Sequence, residues 1–296
     1  MISSKDICQK FDLQHNGQEV FLNKVSSLFN PRNKSLIFVK DKSAFSKELQ
    51  NNLIGKKDIF LLLPTYCSDS KISQSHTFVE NPKNIFFSIV EEFFTKKNHS
   101  EYISSSSKID KKSTIGKNVF IDSNVSIVGE CIIGNNVHIG KNSLIIGPCS
   151  IGCNTSISSN VIIGEESISV RYDNGKPFAN PQLGGVVIGD FCRIGFNSAI
   201  AKGTIDDTVL GNHVLTGEFN SIAHNSMIGD NTVLTVRTTI NGSSKVGKNC
   251  WFGPHSTIMS YVNIGDHITL SANSVFYSSV SKKGTYIGNP AKLFRV

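Results

Sequence analysis

From Ile109 to Ile163 an isoleucine stands at every sixth position: Ile109, Ile115, Ile121, Ile127, Ile133, Ile139, Ile145, Ile151, Ile157 and Ile163. A period of six fits neither the 3.6 residues of an amphipathic helix nor the alternation of a half-buried strand, so its persistence marks a repeat architecture. Many of the repeats continue into a short turn, as in Ile115-Gly-Lys-Asn, Ile133-Gly-Asn-Asn, Ile139-Gly-Lys-Asn, Ile228-Gly-Asp-Asn and Val246-Gly-Lys-Asn. Glycine and asparagine accept left-handed backbone conformations. Each hexad therefore reads as one short strand and one corner. Three hexads close a triangular coil of 18 residues around stacked aliphatic side chains, with successive coils about 4.8 Å apart because each strand bonds to its equivalent in the next coil.

The same phase returns at Ile188, Ile194 and Ile200, slips by two places, and resumes as Leu210, Thr216, Ile222, Ile228, Leu234, Ile240, Val246, Phe252, Ile258, Ile264, Leu270 and Phe276. Residues 165–185 carry no hexad phase, and Asp173-Asn174-Gly175-Lys176-Pro177 is turn chemistry. That segment should leave the coil stack as a loop, suited to binding or to clamping another subunit. Residues 1–98 lack hexads altogether. Apolar runs at 35–39 and 58–63 read as strands and 84–97 as a helix, which makes a small α/β domain ahead of the repeats. The organisation expected is thus 1–98 as a small α/β domain for nucleotide or substrate, 99–280 as the repeat domain with its loop at 165–185, and 281–296 as a tail. The repeat domain resembles the hexapeptide-repeat proteins, which implies a mainly β fold, a left-handed parallel β-helix.

Composition narrows the function classes. No run approaches the roughly 18 apolar residues of a membrane span, and the N-terminus lacks the apolar core of a signal peptide, so the expected location is the cytoplasm. Seven scattered cysteines, mostly in repeat positions that suit a small apolar side chain, form no ligand pattern, and no metal site is expected. The net charge of +7 is spread along the chain, which argues against a nucleic-acid groove and suits small acidic ligands such as nucleotides and phosphates.

The order of a small α/β domain, a helix introduced by Glu80-Asn81-Pro82, and then a prism resembles UDP-3-O-acylglucosamine N-acyltransferases. So does the loop Asp173-Asn174-Gly175-Lys176-Pro177 with its return through Asn180-Pro181-Gln182-Leu183-Gly184-Gly185. The closest match is Ile205-Asp206-Asp207-Thr208-Val209-Leu210-Gly211-Asn212 followed by Ser221-Ile222-Ala223-His224-Asn225-Ser226-Met227-Ile228-Gly229-Asp230-Asn231. The chain departs from that family in two places. It keeps Phe38 of the nucleotide pocket but has Asp41 and Ala44 at the polar and aromatic positions. It also ends in Gly288-Asn289-Pro290-Ala291-Lys292, similar to acetyl-CoA-dependent sugar acetyltransferases.

The resemblance to both groups implies that His224 is a general base. Acyl transfer to an amine needs a group that takes a proton near neutrality as the amine attacks a thioester, and an imidazole suits that work. His138, His213, His255 and His267 also lie in the repeats; the last three follow an inward residue by three places, where asparagine is common, and read as corner substitutes. Stacking at 18 residues would put Asp206 one coil below His224 and Gly242 one coil above. Asp206, with Asp207 as fallback, is expected to orient the imidazole. Gly242 is expected to offer its N–H to the thioester oxygen. Phe38, Asp41 and Asn225 are expected to contact substrate, and Pro290, Lys292 and Arg295 to meet the phosphates of coenzyme A.

Three readings compete. The first is an N-acyltransferase that moves an acyl group from acyl-CoA to a nucleotide-linked amino sugar in surface polysaccharide or lipopolysaccharide synthesis. The second is the lipid A enzyme itself, with a 3-hydroxyacyl group delivered by acyl carrier protein. The third is a non-catalytic hexapeptide scaffold or a γ-type carbonic anhydrase. The resemblance also implies a homotrimer with sites between prisms, no permanently bound cofactor, and the thioester as a donor substrate. Val119, Val125, Leu144 and Val161 are candidates for an apolar outer stripe that would be covered in such a trimer.

Overall fold

The computed structural model describes residues 1–40, 51–68, 72–95 and 101–296, and it divides into two units, Met1–Asn98 and His99–Val296. Within the first unit, a parallel sheet contains Lys24–Val25, Ser35–Phe38, Ile59–Pro64 and Ser75–Val79 in that order. Ile59–Pro64 is buried along its whole length, which is why it reads as an unbroken apolar run. The helix Pro82–Ile89 starts two residues before the position read from spacing. Asn81 caps it, its side chain accepting from Asn84 N–H at 3.1 Å, and Pro82 occupies the first turn. It continues as a wider turn over Val90–Phe94.

The second unit is a left-handed parallel β-helix. Its three faces are parallel sheets in which each strand pairs with the equivalent strand of the next coil, for instance Ile121 with Ile139, Ile127 with Ile145 and Ile133 with Ile151. The hexad isoleucines fill the interior, and Ile121, Ile139, Ile145, Ile157 and Ile163 are wholly buried. Each contributes about 1.5–3 kcal/mol by leaving water. The corner residues take left-handed backbone, as at Asn118, Asn124, Asn136 and Asn142, with φ between 55° and 59°. Their side chains run as ladders along two edges: Asn118 donates to Asn136 at 3.3 Å, Asn136 to Asn154 at 3.1 Å and Asn124 to Asn142 at 3.3 Å. His213, His255 and His267 occupy the same left-handed corners, with φ of 56°, 58° and 57°.

The outer stripe expected from Val119, Val125 and Val161 is not outside. All three are wholly buried, and only Leu144 faces outward, half-covered. Strand alternation explains this: the residue two before each hexad aliphatic points the same way, into the coil. Valine, cysteine, serine and threonine occupy that second inward column, with Cys131, Ser143, Thr155 and Ser226 also buried.

Below the terminal cap the coil step changes twice. It is 18 residues along most of the stack, 37 between Ile151 and Ile188, and 22 between Ile200 and Ile222, after which it returns to 18. The long step expels a hairpin, Val170–Asp173 paired with Lys176–Ala179, all of it exposed. The short one inserts four residues before Thr208. At the far end, Gly284–Ile287 adds a further parallel strand beside Ile268–Leu270, and Lys292–Arg295 folds back antiparallel on it. The tail is therefore the cap of the prism. Tyr286, 5% exposed, closes the core edge-on against Phe276 with ring centroids 5.1 Å apart.

Candidate active site

Both departures from the 18-residue step occur at one edge of the prism, the edge that carries His224. The return limb of the expelled hairpin bonds to the four-residue insertion: Leu183 N–H donates to Thr204 O at 2.8 Å, Gly184 N–H to Gly203 O at 3.0 Å and Gly185 N–H to the Asp207 carboxylate at 2.6 Å. The limb is further held by Gln182, which is buried and bonded to Ser167 through its amide oxygen at 3.1 Å and through its amide nitrogen.

His224 is half-buried in the coil above. Its Nδ1 lies 3.0 Å from Asn225 Oδ1 and 3.4 Å from Thr204 Oγ1, while Nε2 has no hydrogen-bond partner among the described residues. Asn225 sits at the left-handed corner with φ 58°. Its Oδ1 also accepts from Thr204 N–H at 3.0 Å, its Nδ2 donates to Asp206 O at 2.7 Å, and its own N–H donates to Thr208 Oγ1 at 2.9 Å. One coil further, in register through Ile222 and Ile240, lies buried Gly242. A Cβ there would stand 2.7 Å from His224 Nε2 and 2.8 Å from Cε1, so the imidazole lies flush against a glycine that alone leaves it room. The Gly242 carbonyl accepts from Tyr261 N–H at 3.1 Å, and its N–H has no partner among the described residues.

Two sequence expectations change here. The step is 22 residues on the strand before this corner and 18 on the strand after it, so the whole turn from Lys202 to Asp206 lies beneath His224, and the side chain that meets the imidazole is Thr204, not Asp206. What Asp206 gives the network is its backbone carbonyl, and its side chain is exposed. The fallback, Asp207, instead holds Gly185. Asn225 has its amide oxygen committed to Thr204 and His224 and one amide hydrogen to Asp206, which leaves a single N–H for the substrate contact expected of it. Sequence reasoning missed Thr204 and Lys202, although the phase slip after Ile200 is the signal that locates both. The Lys202 side chain is 15% exposed, and its ammonium pairs with Glu166 at 3.1 Å, at the foot of the hairpin. Beside it a groove of about 230 Å³, walled by Ile162, Glu166, Ala199, Ala201, Ser221 and Ala223, reaches the residue before His224.

The remaining candidates lie apart. Pro290, Lys292 and Arg295 belong to the terminal hairpin, where Lys292 pairs with Ile287 and Arg295 Nε donates to Thr285 Oγ1 at 3.5 Å. Ala291 N–H bonds Val275 O in the coil that carries Phe276, three steps above Ile222, or about 14 Å along the axis. Within one chain the structure does not bring them to His224. In the first unit, Phe38 packs on Phe86 with centroids 4.8 Å apart and lines a cavity of about 400 Å³ together with Leu28, Phe29, Val39, Lys40 and Lys83. Asp41 and Ala44 lie outside the described residues.

Fold and repeat define the class: the second unit is a hexapeptide-repeat β-helix. The signature described as "Bacterial transferase hexapeptide (six repeats)" matches residues 112–147, and "Hexapeptide repeat of succinyl-transferase" matches 245–278. More particularly, the chain is similar to UDP-3-O-acylglucosamine N-acyltransferases. It is 31% identical to that of Delftia acidovorans over 128 residues, 43% of this chain and 38% of the relative, and 36% identical to that of Bordetella avium over 108 residues, 36% of this chain and 30% of the relative. The matched region therefore spans well under half of those relatives' own lengths. Among solved structures, UDP-N-acetylglucosamine acyltransferases from Campylobacter jejuni (TM-score 0.59, 24% identity) and Bacteroides fragilis (TM-score 0.60, 22% identity) share the fold, each aligned over 65% of this chain and 74% of the other. Among the described residues no helix is long and apolar enough to cross a membrane.

Proposed function

We propose that this protein is an N-acyltransferase that moves an acyl group from a thioester to the amine of a nucleotide-linked amino sugar. The observation that carries the reading is the half-buried His224, oriented through Nδ1 with Nε2 unengaged, at the edge where the prism breaks its own period. The amine nitrogen attacks the thioester carbonyl carbon while Nε2 takes the amine proton. The C–N bond forms, the C–S bond breaks, and the proton passes from the imidazolium to the departing thiolate. The open Gly242 N–H is placed to donate to the carbonyl oxygen as charge builds on it. The names of the relatives support a UDP-linked acceptor and a place in lipopolysaccharide synthesis. The cavity beside Phe38, with Lys40 and Lys83 at its rim, suits a nucleotide base and its phosphates.

Two donors follow from different observations. The Gly288-Asn289-Pro290-Ala291-Lys292 ending favours acyl-CoA, and similarity to the lipid A enzymes favours a 3-hydroxyacyl group on acyl carrier protein. Apolar side chains exposed on the outer faces, among them Ile132, Leu215 and Trp251, support cover by further copies in a homotrimer, and the reading places the enzyme in the cytoplasm, where both donors reside. In a homotrimer the terminal hairpin of one copy can meet a site on another, which is how Lys292 and Arg295 would reach a donor.

The test is thioester consumption with acetyl-CoA, 3-hydroxybutyryl-CoA and 3-hydroxyacyl carrier protein against UDP- and dTDP-linked amino sugars. Turnover that falls by about 10²–10⁴-fold in His224→Ala, with folding intact, is the expected result. Turnover unchanged by that substitution removes His224 from the mechanism.

A further inference from the structure

We propose that Asn225, seated by the 204–206 turn, is a positioning residue that fixes the tautomer of His224, with the proton on Nδ1 and the lone pair on Nε2. This rests on the reading of His224 as the base, and it is argued from the hydrogen-bond network alone. A neutral imidazole carries one N–H and one lone pair, and which nitrogen holds which is decided by its partners. The orientation of the Asn225 amide is settled by two backbone groups. Thr204 N–H can only donate, so the atom 3.0 Å from it is the amide oxygen; Asp206 O can only accept, so the atom 2.7 Å from it is the amide nitrogen. The oxygen so placed is the atom 3.0 Å from His224 Nδ1. A carbonyl oxygen has no proton to give, so Nδ1 must be the donor. Nε2 is left unprotonated beside Gly242.

The inserted turn therefore does chemical work that a regular coil would not. Regular corners send the corner N–H to the carbonyl 19 residues back, as Asn231 to Asn212 and Ser243 to His224; here that carbonyl, Asp206 O, takes the Asn225 amide nitrogen, and the insertion adds the Thr204 N–H that fixes the amide oxygen. The hairpin joins the same chain of contacts, because its return limb bonds to Gly203 and Thr204. A carboxylate is the usual partner for a catalytic imidazole; here a neutral amide selects the tautomer without adding charge.

The test has two arms. The first is nitrogen NMR of the ¹⁵N-histidine-labelled full chain at a pH where His224 is neutral, assigned by loss of the signal in His224→Ala. The expected spectrum shows a protonated Nδ1 and an unprotonated Nε2; a protonated Nε2 overturns the proposal whether or not the protein turns over. The second arm uses Asn225→Gly, which keeps the left-handed backbone while removing the amide, and Asn225→Asp, which restores an acceptor oxygen. Asn225→Gly should shift the ring toward the Nε2–H form and lower kcat at least tenfold with KM within about twofold. Asn225→Asp should recover the Nδ1–H form and, by placing a carboxylate against the ring, move the acid limb of the kcat profile to higher pH. An unchanged tautomer in Asn225→Gly overturns the proposal. Activity that survives His224→Ala refutes the base and leaves the spectrum of the first arm to decide the tautomer separately.

Discussion

Replacing Gly242 with alanine puts one methyl group against the imidazole of His224. The new carbon would lie 2.7 Å from Nε2 and 2.8 Å from Cε1, where ordinary contact begins near 3.4 Å, so ring or methyl must yield by about 0.7 Å. The backbone of Gly242 is tied to the next coil by its bond from Tyr261, so the ring is the part that moves. A displacement of that size is enough to break the 3.0 Å bond to Asn225. Overpacking of this kind costs about 1–3 kcal/mol of stability, and a misplacement approaching 1 Å costs about 10²-fold in rate. The assay is kcat for thioester consumption together with a denaturant melt of four proteins: wild type, Gly242→Ala, His224→Ala and the double variant. Because the clash is with the ring itself, the stability lost in Gly242→Ala should be recovered when His224 is also alanine. Gly229→Ala serves as the contrast, since its methyl would meet the backbone of Gly247 and Lys248; it should lose stability in either background and leave the folded fraction active. Gly242→Ala with kcat within twofold of wild type, or a penalty that persists in the double variant, would refute the packing argument.

Three further outcomes follow from the fold. Tyr286→Ala removes the ring that closes the prism against Phe276 and should cost about 3–4 kcal/mol in a denaturant melt, whereas Tyr286→Phe, losing only the bond to Lys282 O, should cost about 1. At the corner residue Asn142, with φ 58°, alanine should cost about 1 kcal/mol more than glycine, because only the former pays for a Cβ in left-handed backbone. The Asp230 carboxyl is held below the usual carboxylate range by hydrogen bonds from the Lys248 ammonium and from Asn212 N–H. A depressed folded value stabilises above the unfolded value, near 3.9, and that stability is lost as pH falls through the lower folded one. Asp230→Asn should therefore be slightly less stable than wild type across the neutral region and converge with it as pH falls below about 4, which flattens the acid limb of the stability profile.

The hexads made the prism legible because one physical demand, an aliphatic side chain in each narrow face, recurs without interruption from Ile109 to Ile163. The second inward column was harder to see. Val119, Val125 and Val161 alternate with serine, threonine and cysteine, residues that are small rather than uniformly apolar, so the column has no single letter to announce it. His224 was legible through its motif, and Gly242 through an 18-residue step that holds above the histidine. Below it the step passes from 22 residues to 18 within the turn itself, so arithmetic reached Asp206 on the far side of the turn and missed Thr204, the residue that meets the ring. Asn225 was legible as a neighbour of the base, but the destination of its amide depends on a turn that belongs to no repeat. Likewise the tail reads as a tail until Tyr286 is seen filling the last open coil.

The unequal steps along the axis also bear on how the molecule is made. Each strand finds its partner only 18 residues later in chain order, except where the partner waits 22 or 37. Closing a longer loop costs only slightly more entropy, but in a stack that propagates from coil to neighbouring coil every delay is met in sequence. A chain emerging from synthesis would lay down the lower coils, pause while the hairpin and then the short insertion found their places, and resume its even rhythm. His224 would be seated on the insertion before Gly242 arrived to cover it. The two irregularities are thus also the two slowest moments in the growth of the rod, and the base is assembled between the second of them and the return of the beat.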